Sequence, residues 1–426
     1  MATLFQTPTF LLQSNIYEVN VRQYTQEGTF NAFANHLPRL KDMGVEILWL
    51  MPIHPIGIEK RKGTLGSYYS IKDHKGINPE FGTEADLHDL ITKAHALNMR
   101  IILDWVANHT AWDHVWTKTH PEFFIKDEQG NFKPPYDWDD VLQIDHANKE
   151  EQIAMTDAMK YWIREFNIDG FRADLAHLTP LQFWKNARLQ LSGLKKDLVW
   201  LAETEDISYH EAFDICYTWE WMHATEKLVR KEIRLATCID LLKRQREEFR
   251  EYPLRMFFTS NHDENSWNGT EYEKYGVYAK ALAVFSCLYP GIPLIYSGQE
   301  LPNTKRLKFF EKDQVEWGTT NGLQDLYRAL LSLRKANTAI REKGFVQFFD
   351  NVAENNILAW KMEYDDDAVI VFINMSEVHV KENIAVNLSD FNYRDVFSYE
   401  VMALKDEYSF SAAPGEFTVL EKIQPE

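Results

Sequence analysis

Residues 170–175 read GFRADL, and residues 199–203 read VWLAE. Each is an apolar run of strand length that stops on a carboxylate, Asp174 and Glu203. Two further runs end in the same way. RIILDWVANHT (100–110) carries Asp104, Asn108 and His109, and RMFFTSNHD (255–263) carries His262 and Asp263. Apolar runs with little polar alternation belong to strands covered on both faces, as in sheets built from βα units. Four more complete the set: NIYEVNV (15–21), VEILWLM (45–51), FDICYTW (213–219) and IPLIYSG (292–298). Segments of helical period fall between them, at 30–43, 84–98, 149–166, 222–249, 273–288 and 321–337. Eight strands in βα alternation predict an α/β fold, a (β/α)8 TIM barrel, with an open doubly wound sheet as the lesser alternative. No GxGxxG follows the first strand, which disfavours the dinucleotide-binding form of the open sheet.

The spacing is uneven at one place. The interval from Asp104 to Asp174 is more than twice that from Asp174 to Glu203, which is about one βα unit. The excess is HTAWDHVWTKTHPEFFIKDEQGNFKPPYDWDDVLQID (109–145), rich in Pro, Asp and Trp and without a clear period. It reads as a short inserted subdomain after strand 3, on the rim where long irregular insertions are usually functional. After residue 343 the texture changes to strand-like alternation, FVQFFD, NILAWKMEY, AVIVFINM, ENIAVNL and EFTVLEKI, which predicts a C-terminal antiparallel β-sandwich domain. The expected division is therefore barrel over 1–109, insertion over 110–147, barrel again over 148–342 and sandwich over 343–426.

Composition narrows the partners. A net charge of −18 repels phosphate backbones, so no nucleic-acid partner is expected. No run of about 18 apolar residues occurs, so no membrane span is expected. The N-terminal stretch has neither a basic n-region nor a long apolar core, so a cytoplasmic location is expected, and a trimmed secreted or periplasmic form would look the same. Cys216, Cys238 and Cys287 are odd in number and widely spaced, which argues against a disulfide framework and a zinc site.

In a barrel the C-terminal strand ends share one rim, so Asp104, Asp174, Glu203 and Asp263 converge there with Arg172, His109 and His262. One acid at a strand end is more often a helix cap than a catalyst. Several on one rim fit a pocket in which burial and repulsion separate carboxyl pKa values, one group attacking and another donating. Retaining glycoside hydrolysis needs that division, with two carboxyls about 5–5.5 Å apart.

The sequence resembles the alpha-amylase superfamily of glycoside hydrolases. DWVANH (104–109), GFRAD (170–174), LAE (201–203) and NHD (261–263) match its four conserved regions in order. GSYYSIKDHKGINPEFGT (66–83) matches its tyrosine-bearing loop, and LQID (142–145) more loosely its motif at the end of the inserted domain. The resemblance covers about 15–340, and the family's sandwich tail accounts for the rest. It implies Asp174 as nucleophile, Glu203 as general acid and base, and Asp263 as a third catalytic acid that binds and distorts the sugar. It implies Arg172 as the group that aims Asp174, Asp104 as a group orienting the sugar or Arg172, and His109 and His262 as donors to sugar hydroxyls. Tyr69, four residues before Asp73, would stack on the sugar. The function implied is cleavage of α-1,4-glucosidic bonds in starch, glycogen or maltooligosaccharides. Glucanotransferase, maltosyltransferase, α-1,6-acting and exo-α-glucosidase activities stay open, with a non-catalytic glucan-binding protein less favoured.

Three features depart from the pattern or add to it. His177-Leu178 stands where many relatives carry Lys-His, a departure at the leaving-group subsites. Asn108 often ligates a structural calcium in the family, and Asp139, Asp140 and Asp145 are candidate partners. No cofactor is otherwise required. The loop before Tyr69 carries Lys60, Arg61 and Lys62, similar to a basic loop in relatives that transfer maltosyl units from a sugar phosphate. A solvated basic loop is the plainer reading. Trp112, Trp138 and Trp267 are candidate sugar platforms or packing residues. Oligomeric state has no signal.

Overall fold

The computed structural model describes residues 5–249, 254–318, 322–341, 344–386, 388 and 391–423. Eight parallel strands close into a barrel: Ile16–Val19, Ile47–Leu50, Arg100–Trp105, Gly170–Ala173, Val199–Ala202, Ile215–Tyr217, Leu254–Phe257 and Ile292–Tyr296. Each pairs with its neighbour in sequence, and the eighth returns to the first through Ile16↔Leu294. All eight lie within the apolar runs identified above or one residue beyond.

Strand pleating sorts the side chains between two layers. Tyr17, Leu48, Leu103, Phe171, Trp200 and Cys216 point outward and join the large core between strands and helices. Ile16, Ile47, Ile102, Val199, Leu201 and Ile215 point inward and fill the barrel with an apolar plug. One pleat repeat towards the C-terminal ends, the same inner face carries Glu18, Trp49, Asp104, Arg172 and Glu203, all buried. The site thus rests on an apolar floor. Gly170 opens the fourth strand because the fifth lies against it. A Cβ there would stand 2.1 Å from the Val199 carbonyl oxygen, and its φ of +152° suits only glycine.

Long helices are shorter than the periodicity suggests. The 30–43 segment splits into Phe30–Ala34 and Leu37–Met43, with Pro in the first turn of the second. The 222–249 segment splits into Trp219–Val229 and Leu235–Glu248 around Lys231, whose φ is positive. The 273–288 segment breaks at Gly276, φ +55°. The 321–337 segment forms Gln324–Ala336, and residue 321 lies outside the described residues. Leu181–Ser192, absent from the predicted helices, is the fourth strand's crossover. None of the described helices is long and apolar enough to cross a membrane.

The insertion is structured at its neck. His109–Ala111 and Val141–Gln143 pair antiparallel, with His109 opposite Gln143. Beyond the barrel, a six-stranded antiparallel sheet and the pair Val380–Ala385 with Glu407–Ala412 enclose a second core. The expected 342/343 boundary and residue 387 of the ENIAVNL run fall outside the described residues. This C-terminal sandwich is not isolated, because its Trp360 packs on Phe285 and Tyr289 of the barrel's helical layer at ring separations of 5.3 and 6.3 Å.

Candidate active site

The centre of the rim is Arg172. Its Nη1 donates to Asp104 Oδ1 at 3.0 Å and to Asp174 Oδ1 at 2.9 Å. Its Nη2 lies 2.7 Å from Glu203 Oε2, an ion pair whose angle falls short of a hydrogen bond. Three strands therefore deliver three carboxylates to one buried guanidinium. Asp104 is fully engaged, since its Oδ2 accepts from Trp49 Nε1 at 3.1 Å and Tyr69 Oη at 3.0 Å. Asp174 is not. Its Oδ2 is buried with no protein hydrogen-bond partner, and the residue lines the cavity.

Leu175 follows in the left-handed region, φ +40°, a conformation that costs about 1–3 kcal/mol for a residue with a side chain. The bend aims its N–H at Glu203 Oε2, 2.8 Å away. Burial pushes both Asp174 and Glu203 upward in pKa, and although Arg172 opposes the rise, repulsion from neighbouring carboxylates adds to it. The two carboxyls behave as one unit that holds a proton above the ordinary carboxylate range.

His262 and Asp263 begin a turn that continues as a single π-helical turn, Glu264–Asn268, a geometry common beside functional sites. His262 Nδ1 faces Glu18 Oε1 at 2.5 Å, and its Nε2 faces Asp263 Oδ2 at 3.3 Å and Tyr69 Oη at 2.8 Å. Desolvation opposes the charge on His262, but Asp263 and Glu18 outweigh it and hold an imidazolium. Asp263, its side chain 41% exposed, is disfavoured as an anion by desolvation, yet the His262 charge brings its pKa below the usual range. Tyr69 lies nearly parallel to His262 at 5.2 Å. Burial and the Asp104 charge keep its phenol protonated, so it donates to Asp104 and accepts from His262.

His109 has the opposite character. Burial drives its pKa down to about 3, so the ring is neutral. Asn108 Nδ2 lies 2.9 Å from its Nδ1, and the Tyr69 backbone is a second hydrogen-bond partner of the ring. Asp174, Glu203, Asp263, Tyr69, His109 and His262 all line one cavity of about 290 Å³, while Asp104 and Arg172 lie behind its wall.

Glu18, Trp49 and Tyr217 were not among the predicted site residues. Glu18 anchors His262, Trp49 anchors Asp104, and Tyr217 Oη accepts from Arg172 Nε at 3.3 Å. Glu18 carried a signal, a lone acid inside the apolar run NIYEVNV. The other two are aromatic residues within strands and read as core. Phe309, which also lines the cavity and lies nearly parallel to Tyr69 at 6.4 Å, sits in a long loop with no motif. Of the three tryptophans, Trp138 lines the cavity and meets His109 edge-on at 5.8 Å. Trp112 is covered by Lys60 Nζ, 3.1 Å from its ring centre, and Trp267, 52% exposed, packs beside Phe309.

The residues nominated for calcium do not fit it. Lys62 Nζ bridges Asp139 Oδ1 and Asp140 Oδ1 at 2.9 Å each. Asp145 Oδ1 accepts from the Ala147 N–H, and the buried Asn108 side chain is turned to His109. An ammonium therefore occupies the carboxylates a cation would need, and the described residues hold no group of three His, Cys, Asp or Glu arranged for a metal. The basic loop is likewise engaged, with Lys60 on Trp112 and Arg61 on the carbonyls of Ile56, Gly57 and Thr64. All three cysteines are buried and unpaired.

A carboxyl pair on one arginine, at the C-terminal mouth of a (β/α)8 barrel, defines a class of enzymes that break or transfer glycosidic bonds. The particular family follows from comparison. The model of the alpha amylase catalytic domain matches residues 13–144 and 136–330, and the chain belongs to that family of glycoside hydrolases and transferases. An alpha-amylase from Lactobacillus plantarum is 30% identical, with a TM-score of 0.89, over 98% of this chain and 100% of its own. A maltogenic alpha-amylase from Thermotoga neapolitana is also 30% identical, TM-score 0.87, over 97% and 100%. Among curated proteins, an alpha-1,4-glucan:maltose-1-phosphate maltosyltransferase from Picrophilus torridus is 27% identical over 93% of this chain. The chain spans 66% of that protein's length and 64% of its counterpart from Cereibacter sphaeroides.

Proposed function

We propose that the protein is a retaining hydrolase of α-1,4-linked glucans or maltooligosaccharides. Asp174 attacks the anomeric carbon through Oδ2, the oxygen left without a protein partner, and forms a covalent glycosyl ester. Glu203 donates the shared proton to the leaving oxygen, then takes a proton from the water that cleaves the ester. Arg172 keeps Asp174 ionised at the moment of attack and fixes its aim. The His262 imidazolium and Asp263 grip hydroxyls of the same sugar, and the neutral His109 lines the cavity beside them. Tyr69 presents its ring edge and face to the sugar while Asp104 holds Arg172 in register. The observation that carries this reading is the single guanidinium gripping both carboxyls beside one cavity.

Hydrolysis is preferred to transfer from a sugar phosphate because Lys62, the basic-loop cation on the cavity wall, is already neutralised by Asp139 and Asp140. The deciding experiment is a product profile on amylose, pullulan and maltose, with and without phosphate or maltose 1-phosphate. Short oligosaccharides from amylose are expected without phosphate, with the α-anomer appearing first by proton NMR. An initial β-anomer contradicts retention, and activity only with maltose 1-phosphate makes the protein a maltosyltransferase.

A further inference from the structure

The mouth of the cavity is unevenly built. Glu203 directly follows the fifth strand, and the first strand stands diametrically opposite, between the eighth and the second. Because Glu203 must reach the leaving oxygen, the leaving part of the chain departs on its side. The remainder of the glucan, beyond the 4-hydroxyl of the bound sugar, must extend towards the first strand.

That direction is walled. The loop after the second strand meets the strap after the eighth: Leu65 N donates to Phe310 O at 3.0 Å, and Thr64 N donates to Glu311 Oε1 at 3.0 Å. The two backbones are so close that a Cβ on Gly63 would stand 2.5 Å from Phe310 Cβ. The strap is pinned in turn, with Gln23 Nε2 donating to Lys308 O at 2.6 Å and Val315 N to Gln23 O at 2.9 Å. On its other flank the loop reaches the insertion, where Lys62 bridges Asp139 and Asp140. Lys62, Asp140, Phe309 and Phe310 all face the cavity. On the opposite lip the segment after Asp174 is a short turn, Ala176–Leu178, with His177 exposed.

We propose that Lys62 is a specificity-determining residue: its bridge to Asp139 and Asp140 completes a wall that closes the non-reducing end of the glucan cleft, making the enzyme exo-acting. The inference rests on the α-glucan reading above and deepens it. A chain enters by its non-reducing end, stops against Lys62 and the Phe309–Phe310 strap, and is cut at a fixed short distance. A chain whose non-reducing end is capped, or an internal stretch of a long one, has no room beyond the wall.

The test compares maltoheptaosides with a free and an ethylidene-capped non-reducing end, with fragments followed by chromatography. The native protein is expected to cleave the capped compound at least about 100-fold more slowly, the order of discrimination a shaped pocket gives. Rates within about threefold overturn the proposal. Lys62→Ala is expected to raise the capped-to-free rate ratio by about tenfold or more, while Lys62→Arg, which restores a cation, keeps it low. An unchanged ratio in Lys62→Ala overturns the role of Lys62. Failure to cleave even the free compound refutes the α-glucan reading itself, a result separable from the others.

Discussion

At the scale of single residues, the site is a contest between burial and compensation. Asp174 is a buried carboxylate above an apolar floor, with one oxygen tied to Arg172 and the other without a protein partner. Such a group lowers stability so that it can react. Asp174→Asn is therefore expected to lose turnover by a factor on the order of 10⁴ or more while retaining its fold. Its melting temperature at pH 7 is expected to match or exceed that of the native protein. The sign follows from the direction of the shift. A carboxyl raised in the folded state contributes stability that is complete below the ordinary carboxylate pKa and is lost as pH rises through the folded value. The variant's advantage should accordingly shrink as pH falls towards about 4. A variant active on starch, or an advantage that grows in acid, contradicts this account. The same pair shapes the activity profile: turnover is expected to fall on the alkaline side as the pair's last proton is lost, above the range of an isolated carboxyl.

At the scale of elements, the strands position and the loops select. Pleating brought Asp104, Arg172 and Glu203 to the inner face without further instruction, one alternation above the apolar plug. Gly170 is where that arrangement is most sensitive, because the fourth and fifth strands meet across it. Gly170→Ala is expected to destabilise the protein by about 3 kcal/mol or more, through overpacking and a forbidden φ, as read from the denaturant midpoint. A cost below about 1 kcal/mol would mean the strands can part. At the insertion, a lysine stands between the acids nominated for calcium. Treatment with EDTA is therefore expected to leave melting temperature and activity unchanged, and a clear loss of either would restore an ion to that region.

At the scale of the whole molecule, barrel and sandwich share a core. Leu358, Trp360, Val371 and Val419 of the large sheet pack in the same cluster as Phe285 and Tyr289 of the barrel's helical layer. Trp360→Ala is expected to cost about 3–5 kcal/mol and to separate a single thermal transition into two, measured by calorimetry. One unshifted transition would show that the two parts unfold together for another reason.

The sequence by itself determined the eight strands, the inserted segment, the antiparallel tail and the positions of Asp174, Glu203 and Asp263, because strand burial and strand-end acids leave local marks of composition and period. It carried the lone Glu18 in plain view, though the purpose of that acid is set by His262, far away along the chain. Tertiary structure alone decided that burial holds His109 neutral, that Lys62 faces two carboxylates, and that Phe309 and Phe310 line the cavity. Those outcomes depend on contacts between segments distant in sequence, such as Thr64 with Glu311, and no local period records the partner a loop will meet after the barrel has closed.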